Sequence, residues 1–200
     1  AWLARAGHAV TLIGRESHVQ AIREHGLRLQ TAEQDTHIPV TASTSAQSVA
    51  GADVVLFCVK STDTETAAAQ IKPYLTPHTQ ILSLQNGVDN DERMRSFLGC
   101  QPVAATVVYV ATAMAGPGHV RHFGRGELVI ASCPQGPEIA RQFSAAGIPT
   151  QISDDVRSSL WQKLIINCVY NALSALTQQP YGWLVAQTGT AAVMQDIANE

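Results

Sequence analysis

The chain has 200 residues, 46% of them hydrophobic, with 14 glycines, 9 prolines and a formal net charge of −3. That length and apolar content fit one large domain, or one and a half, with a real core. No block of like charges is present, which excludes the electrostatic footprint of a nucleic-acid binder or a membrane-surface protein and leaves a small molecule as the expected partner.

The opening "AWLARAGHAVTLIGR" predicts the end of a helix over residues 1–6, a glycine C-cap at Gly7 and a strand over 9–13. "SHVQAIREHG" reads as a helix with Ser17 as N-cap, and "LRLQT" and "HIPVTAS" as the two arms of a hairpin. "ADVVLFCVK" is a short continuous apolar run, the signature of a parallel strand covered on both faces. A helix over 62–75, the buried strand "TQILSLQNG", a helix over 89–98 and the strand "PVAATVVYVAT" follow. "GHVRHFGRGELVIA" predicts two strands joined by a turn at Gly124-Arg125-Gly126. A helix over 137–146 and the strand "IPTQIS" complete the alternation. From Asp154, a good N-cap, the remainder reads as helical with a break at Pro180 to Gly182.

Alternation of strand and helix to residue 152 predicts an α/β fold, a Rossmann-like doubly wound and mostly parallel sheet over 1–152. The all-helical stretch 153–200 reads as the start of a second, all-α domain. Residues 164–195 carry no charge, but Asn, Gln, Pro180 and Gly182 interrupt them too often for a membrane span, so a buried helical region is expected. No signal peptide opens the chain, and a cytoplasmic location is expected. Cys58, Cys100, Cys133 and Cys168 are scattered, with no C-x-x-C pair, Cys58 and Cys168 lie inside apolar runs, and all four are expected to be reduced core thiols. The histidines show no metal-ligand spacing, and no metal is expected.

In doubly wound sheets ligands bind beyond the carboxyl ends of the strands, which directs attention to Arg15, Lys60 and Asn86. If Arg15 ends the second strand of a dinucleotide fold, its guanidinium can pair with the 2′-phosphate of NADP; it can equally be a solvated loop residue beside Glu16. Lys60 and Asn86 end two strands that would share one sheet edge if parallel, although a lysine there can be simply solvated and Asn86-Gly87 simply a turn.

A further pattern lies in "LWQKLIINCVYNALSAL". At about 100° per residue, Lys163, Asn167, Asn171 and Ser174 fall within roughly 80° of arc, and Lys163 and Asn171 lie about 12 Å apart along the axis. Asparagine is a poor helix former, and a merely wet stripe would favour Glu, Lys, Arg or Gln. Two buried amides need hydrogen-bond partners, which a polar ligand could supply. The lysine could also reach water at the helix edge.

These residues together resemble the ketopantoate reductases (2-dehydropantoate 2-reductases). The resemblance rests on "LARAGHAVTLIGR", "DVVLFCVKSTDT", "LSLQNGVDN", "AGPGHVRHFGRGELVIA" and "WQKLIINCVYNALSAL", which occur in the family's order along almost the whole chain. It implies NADPH-dependent reduction of 2-dehydropantoate to pantoate, a step toward pantothenate and coenzyme A. By motif match Lys163 resembles the catalytic lysine, Asn167 and Asn171 the substrate-binding amides, Lys60 and Asn86 the pair near the nicotinamide and the carbonyl, and Arg15 the 2′-phosphate partner.

Two departures accompany it. The family begins with a strand and a G-x-G-x-x-G turn for the pyrophosphate, and it continues beyond the helices seen here. The sequence is therefore expected to be a fragment, cut at both ends, that binds NADPH poorly and is inactive alone, since the missing first strand is central in such sheets. A homodimer is compatible with the resemblance. The rival readings are a reductase of another 2-keto or 3-hydroxy acid, and a catalytically silent nicotinamide-binding regulator.

Overall fold

The computed structural model describes all residues, Ala1–Glu200. Helix α1 (Trp2–Arg5) leads to β1 (Thr11–Ile13), α2 (Glu16–His25), β2 (Leu27–Gln30), β3 (Asp35–Ile38), β4 (Thr41–Ser43) and β5 (Val54–Phe57). After these come α3 (Thr64–Ile71), β6 (Gln80–Ser83), α4 (Asn90–Leu98) and the long strands β7 (Val103–Gly116) and β8 (His119–Ala131). Helix α5 (Gly136–Ala145), β9 (Thr150–Ser153) and helices α6 (Val156–Thr177), α7 (Tyr181–Val185) and α8 (Thr190–Asn199) complete the chain.

The expected α/β fold is present, with a parallel-rich sheet and a helical C-terminal region. A seven-stranded sheet runs β3-β2-β8-β7-β6-β5, with β9 on β8, and β1 and β4 form a separate two-stranded sheet. Strands β5, β6 and β7 are parallel neighbours, β7 and β8 antiparallel. Strand β5, expected to be covered on both faces, is instead the end strand of the sheet with Leu56 exposed, whereas β6 is buried at all four positions, as a run covered on both faces must be. Its period of two sends Ile81 into one core with Ala68, Ile71, Met94 and Leu98 of α3 and α4, and Leu82 into another with Ile139 and Phe143 of α5. Beyond the edge of the first core, Ala105 and Val107 of β7 pack against Val156 and Leu160 of α6. This seats α6 on the amino-terminal half of β7.

Several expectations are corrected. The segment 119–131 is one strand, and the tight turn lies instead between Gly116 and His119. Gly124, Arg125 and Gly126 all take positive φ (134°, 61° and 145°), and Phe123 and Gly126 drop out of register with β7. The Gly-Arg-Gly stretch therefore makes β-bulges rather than a reversal. "HIPVTAS" is not one hairpin arm: the chain leaves β3 at Pro39, which has no N–H for the ladder, and β4 pairs in parallel with β1. The N-cap of α2 is Arg15 rather than Ser17, because the helix starts directly after the strand. Asp155, not Asp154, caps α6, accepting from the Ser158 N–H at 3.2 Å. Helix α6 ends at Gln178 in the left-handed conformation, Pro180 is the N-cap of α7, and Gly182 lies within α7.

The C-terminal helices are less buried than their composition suggests. Helices α7 and α8 cover only part of the circumference of α6, and Trp161, Ile165, Ile166 and Leu176 are exposed. Cys58, Cys100 and Cys168 are likewise at the surface rather than in the core, and Cys133 is half-buried. No helix is long and apolar enough to cross a membrane.

Candidate functional site

The parallel register sets one level for three groups. Phe57 of β5 pairs with Ser83 of β6, and Ser83 with Ala105 of β7. Lys60, Asn86 and Val108 each lie three positions beyond that row (57 to 60, 83 to 86, 105 to 108). Neighbouring strands are spaced by about 5 Å, so Lys60 and Asn86 follow the carboxyl ends of β5 and β6 side by side, while Val108 lies within β7 just beyond its pairing with β6. The Lys163 ammonium donates to the Val108 carbonyl at 2.6 Å, which brings the α6 lysine to this level. Lys163 is half-buried, and loss of hydration pushes its pKa below the ordinary lysine value. One hydrogen bond to a carbonyl leaves two N–H donors on the ammonium.

A polar lattice holds the loops that carry Lys60 and Asn86. Lys60 precedes a single 3₁₀ turn, Ser61–Asp63, and its side chain caps nothing. The Ser61 hydroxyl donates to the Asn86 carbonyl at 3.0 Å, tying the β5 and β6 loops together. The same carbonyl accepts from Asn90 Nδ2 at 2.8 Å, and Asn90 is only 3% exposed. Arg93 closes the ring, donating to the Ser61 carbonyl, to Asn90 Oδ1 and to both oxygens of Glu65. Below it, buried Gln85 donates to Thr64 Oγ1 at 2.8 Å and accepts from Ser83 Oγ at 3.2 Å. At Gly87, φ is +116° and an added Cβ would lie 2.9 Å from Asn90 Nδ2, so the turn after Asn86 requires glycine.

The polar stripe of α6 is present but unevenly buried. Asn167 is half-buried, whereas Asn171 is exposed, contrary to the expectation of two buried amides. Asn171 Oδ1 accepts from the Tyr181 hydroxyl, and the Ser174 hydroxyl donates to the Gln179 carbonyl at 2.6 Å. The far end of the stripe thus opens on an open polar cavity lined by Asn171, Ser174, Gln178, Gln179 and Tyr181. Arg15 stands apart: it caps α2 through its backbone only, its side chain is exposed, and it lies on the separate β1–β4 sheet.

Sequence reasoning passed over Arg157. This residue sits in the first turn of α6, where a cation opposes the helix dipole and the capping carboxylate of Asp155 is the acidic group at the same end. With Asp155 engaged by the Ser158 N–H and hydroxyl, the carboxylate that Arg157 takes is one the local sequence does not reveal. It comes from the first turn of α4: Arg157 Nη2 lies 3.3 Å from Asp91 Oδ2 and also bonds Glu92, while Nη1 donates to the Val88 carbonyl. Asn90 and Arg93, the braces of the Asn86 loop, and Tyr181 gave no local signal either, because their partners are distant in sequence or lie in a loop.

A half-buried ammonium with donors to spare, beside a cation and an amide at strand ends, can bind an anionic ligand and give a proton to an oxygen on which charge develops. Comparison with known proteins agrees in extent and order. Residues 1–135 match the family model "Ketopantoate reductase PanE/ApbA", and residues 155–200 match "Ketopantoate reductase PanE/ApbA C terminal". A 2-dehydropantoate 2-reductase from Mesorhizobium japonicum is 30% identical over 99% of this chain and 69% of its own length. One from Aquifex aeolicus is 32% identical over 100% of this chain and 66% of its own. The crystal structure of a PanE/ApbA family ketopantoate reductase from Ralstonia eutropha JMP134 superposes with a TM-score of 0.92 at 58% identity, covering 99% of this chain and 66% of that one. The chain spans about two thirds of the length of these relatives. On both family models and on a 58% identical fold, the chain belongs to the ketopantoate reductase PanE/ApbA family.

Proposed function

We propose that the complete protein reduces 2-dehydropantoate to pantoate with NADPH, in the cytoplasm and as a step toward pantothenate. Residues 1–152 form the cofactor half and 153–200 the start of the substrate half. The observation that carries this reading is the half-buried Lys163 ammonium held at the level of Lys60 and Asn86. The relatives named 2-dehydropantoate 2-reductase support the substrate class.

The residues present fit a dinucleotide. Exposed cations, Arg15 and Lys60, stand at the ends of β1 and β5, where an anionic cofactor is held in doubly wound sheets. Arg15 would pair with the 2′-phosphate, and Lys60 and Asn86 would flank the nicotinamide and the substrate carbonyl. When bound, the cofactor supplies the hydride. Lys163 donates a hydrogen bond, then a proton, from Nζ to the ketone oxygen of the 2-keto acid as negative charge grows there. Its partial burial lowers its pKa and makes that transfer easier near neutral pH. Asn167 and Asn171 bind the hydroxyl or carboxylate of the substrate and fix the carbonyl in register.

The test is ketopantoate-dependent NADPH oxidation by the full-length protein, wild type and Lys163→Ala. The variant is expected to lose turnover by at least about a hundredfold while still binding NADPH. Near-full turnover by Lys163→Ala would remove the general-acid role, and a wild type that binds cofactor without turning over any 2-keto acid would favour the silent regulator.

A further inference from the structure

We propose that Arg157 is a positioning residue that sets the Lys163 ammonium against Asn86 by fastening the first turn of α6 to the loop between β6 and α4. The proposal rests on the functional reading above, since it gives that fastening a catalytic consequence.

The contact joins two parts of the chain that carry different pieces of the site. Arg157 lies six residues before Lys163, about 9 Å along the same helix. Its three acceptors, the Val88 carbonyl, Asp91 and Glu92, all fall within six residues of Asn86. Asp91 is only 3% exposed and is shared with Arg95, whose Nη1 lies 2.9 Å away, so its position is firm. A planar guanidinium that takes a carbonyl and two carboxylates at once defines a direction as well as a distance.

Little else holds α6 to the sheet edge. It buries only Val156, Leu160 and Val169, and its contacts with β7 are apolar apart from the Lys163 hydrogen bond. Apolar packing of two residues, Val156 and Leu160, against the sheet tolerates small rotations, and a rotation at the first turn is carried to Lys163. By contrast, the loops of Lys60 and Asn86 are tied to each other by Ser61, Asn90 and Arg93, and Arg157 adds to them only at the Val88 carbonyl and the first turn of α4. Loss of Arg157 should therefore move the proton donor more than the cofactor loops, which keep the bonds of Ser61, Asn90 and Arg93.

The experiment compares full-length wild type, Arg157→Ala and Arg157→Lys, with turnover expressed per NADPH-binding site so that unfolded protein is not counted. Arg157→Ala is expected to lower kcat about 10- to 100-fold, with the KM for NADPH within about threefold, the scale of a 1 Å misplacement. Arg157→Lys keeps the charge but not the fork and should recover part of the loss. A wild type with no 2-keto acid reduction overturns the functional reading and this inference with it. An active wild type with Arg157→Ala kcat per site within twofold, or with no recovery in Arg157→Lys, overturns the positioning role alone. Should Arg157→Ala fail to fold, Arg157→Lys against wild type makes the same comparison: an unchanged kcat per site counts against the proposal, and a fall with the NADPH KM held counts for it.

Discussion

Arg157 and Asp91 meet at 3.3 Å across 66 positions of sequence, each in the first turn of a different helix. Two positive helix ends converge there, and the Asp91 and Glu92 carboxylates offset both the dipoles and the guanidinium. Asp91 is nearly fully buried and contacted by two arginines, so neutralising it leaves both without their shared counter-charge. Asp91→Asn is expected to lower stability by about 2 kcal/mol, below the full cost of breaking a buried pair because both arginines are partly exposed. Thermal unfolding should show the melting temperature falling by roughly 4–8 °C.

Lys163 links activity and stability in opposite directions. Its folded pKa lies below the ordinary 10.5 because burial disfavours the charge. Between the folded and ordinary values only the unfolded chain keeps the proton, so this group makes stability rise with pH across that window. Proton donation runs the other way: it falls as pH rises through the folded value, giving an alkaline limb below 10.5 in the pH profile of kcat/KM, which reports the free enzyme. Lys163→Met should remove turnover yet cost less than about 1 kcal/mol, since the lost hydrogen bond is offset by relief of a half-buried charge. A large fall in the melting temperature would mark the lysine as structural instead.

Gly87 tests the floor of the site. Gly87→Ala places a Cβ at a φ of +116° and against the buried Asn90 amide that holds the Asn86 carbonyl. A loss of about 1–3 kcal/mol is expected from the backbone conformation alone. Cofactor affinity should fall as well, measured by fluorescence titration with NADPH, because Asn90 must yield.

Arg15 gives a cleaner experiment, since its exposed side chain caps nothing and its removal should not change stability. Arg15→Ala is expected to weaken NADPH binding by about tenfold or more, the scale of a charge-assisted contact, and NADH binding by less than about twofold. Equal losses for both cofactors would make it a structural arginine.

Much of this molecule was legible from local pattern. The uniform apolar runs of β5 and β6, the lysine and asparagine that follow them, and the four-residue spacing of Lys163, Asn167 and Asn171 are properties of consecutive residues, and period and composition expose them. Where strong local signals competed, tertiary pairing chose. Gly-Arg-Gly became a bulge because Gly116-Pro117-Gly118 offered the tighter reversal and β7 could then pair along its whole length. Helix α6 looked uniformly buried because composition reports how apolar a surface is, whereas burial depends on which neighbours are there to cover it.

The sequence by itself determined the alternation of strands and helices, the strand-end positions of Arg15, Lys60 and Asn86, and the polar stripe on α6. Only the tertiary structure decided that Lys163 reaches the Val108 carbonyl at the level of Lys60 and Asn86, that Asn171 turns to Tyr181, and that Arg157 fastens the helix to the loop. Helix and strand periods are encoded within a few residues, but register across strands and a guanidinium reaching across 66 positions depend on packing, which no short window of sequence contains.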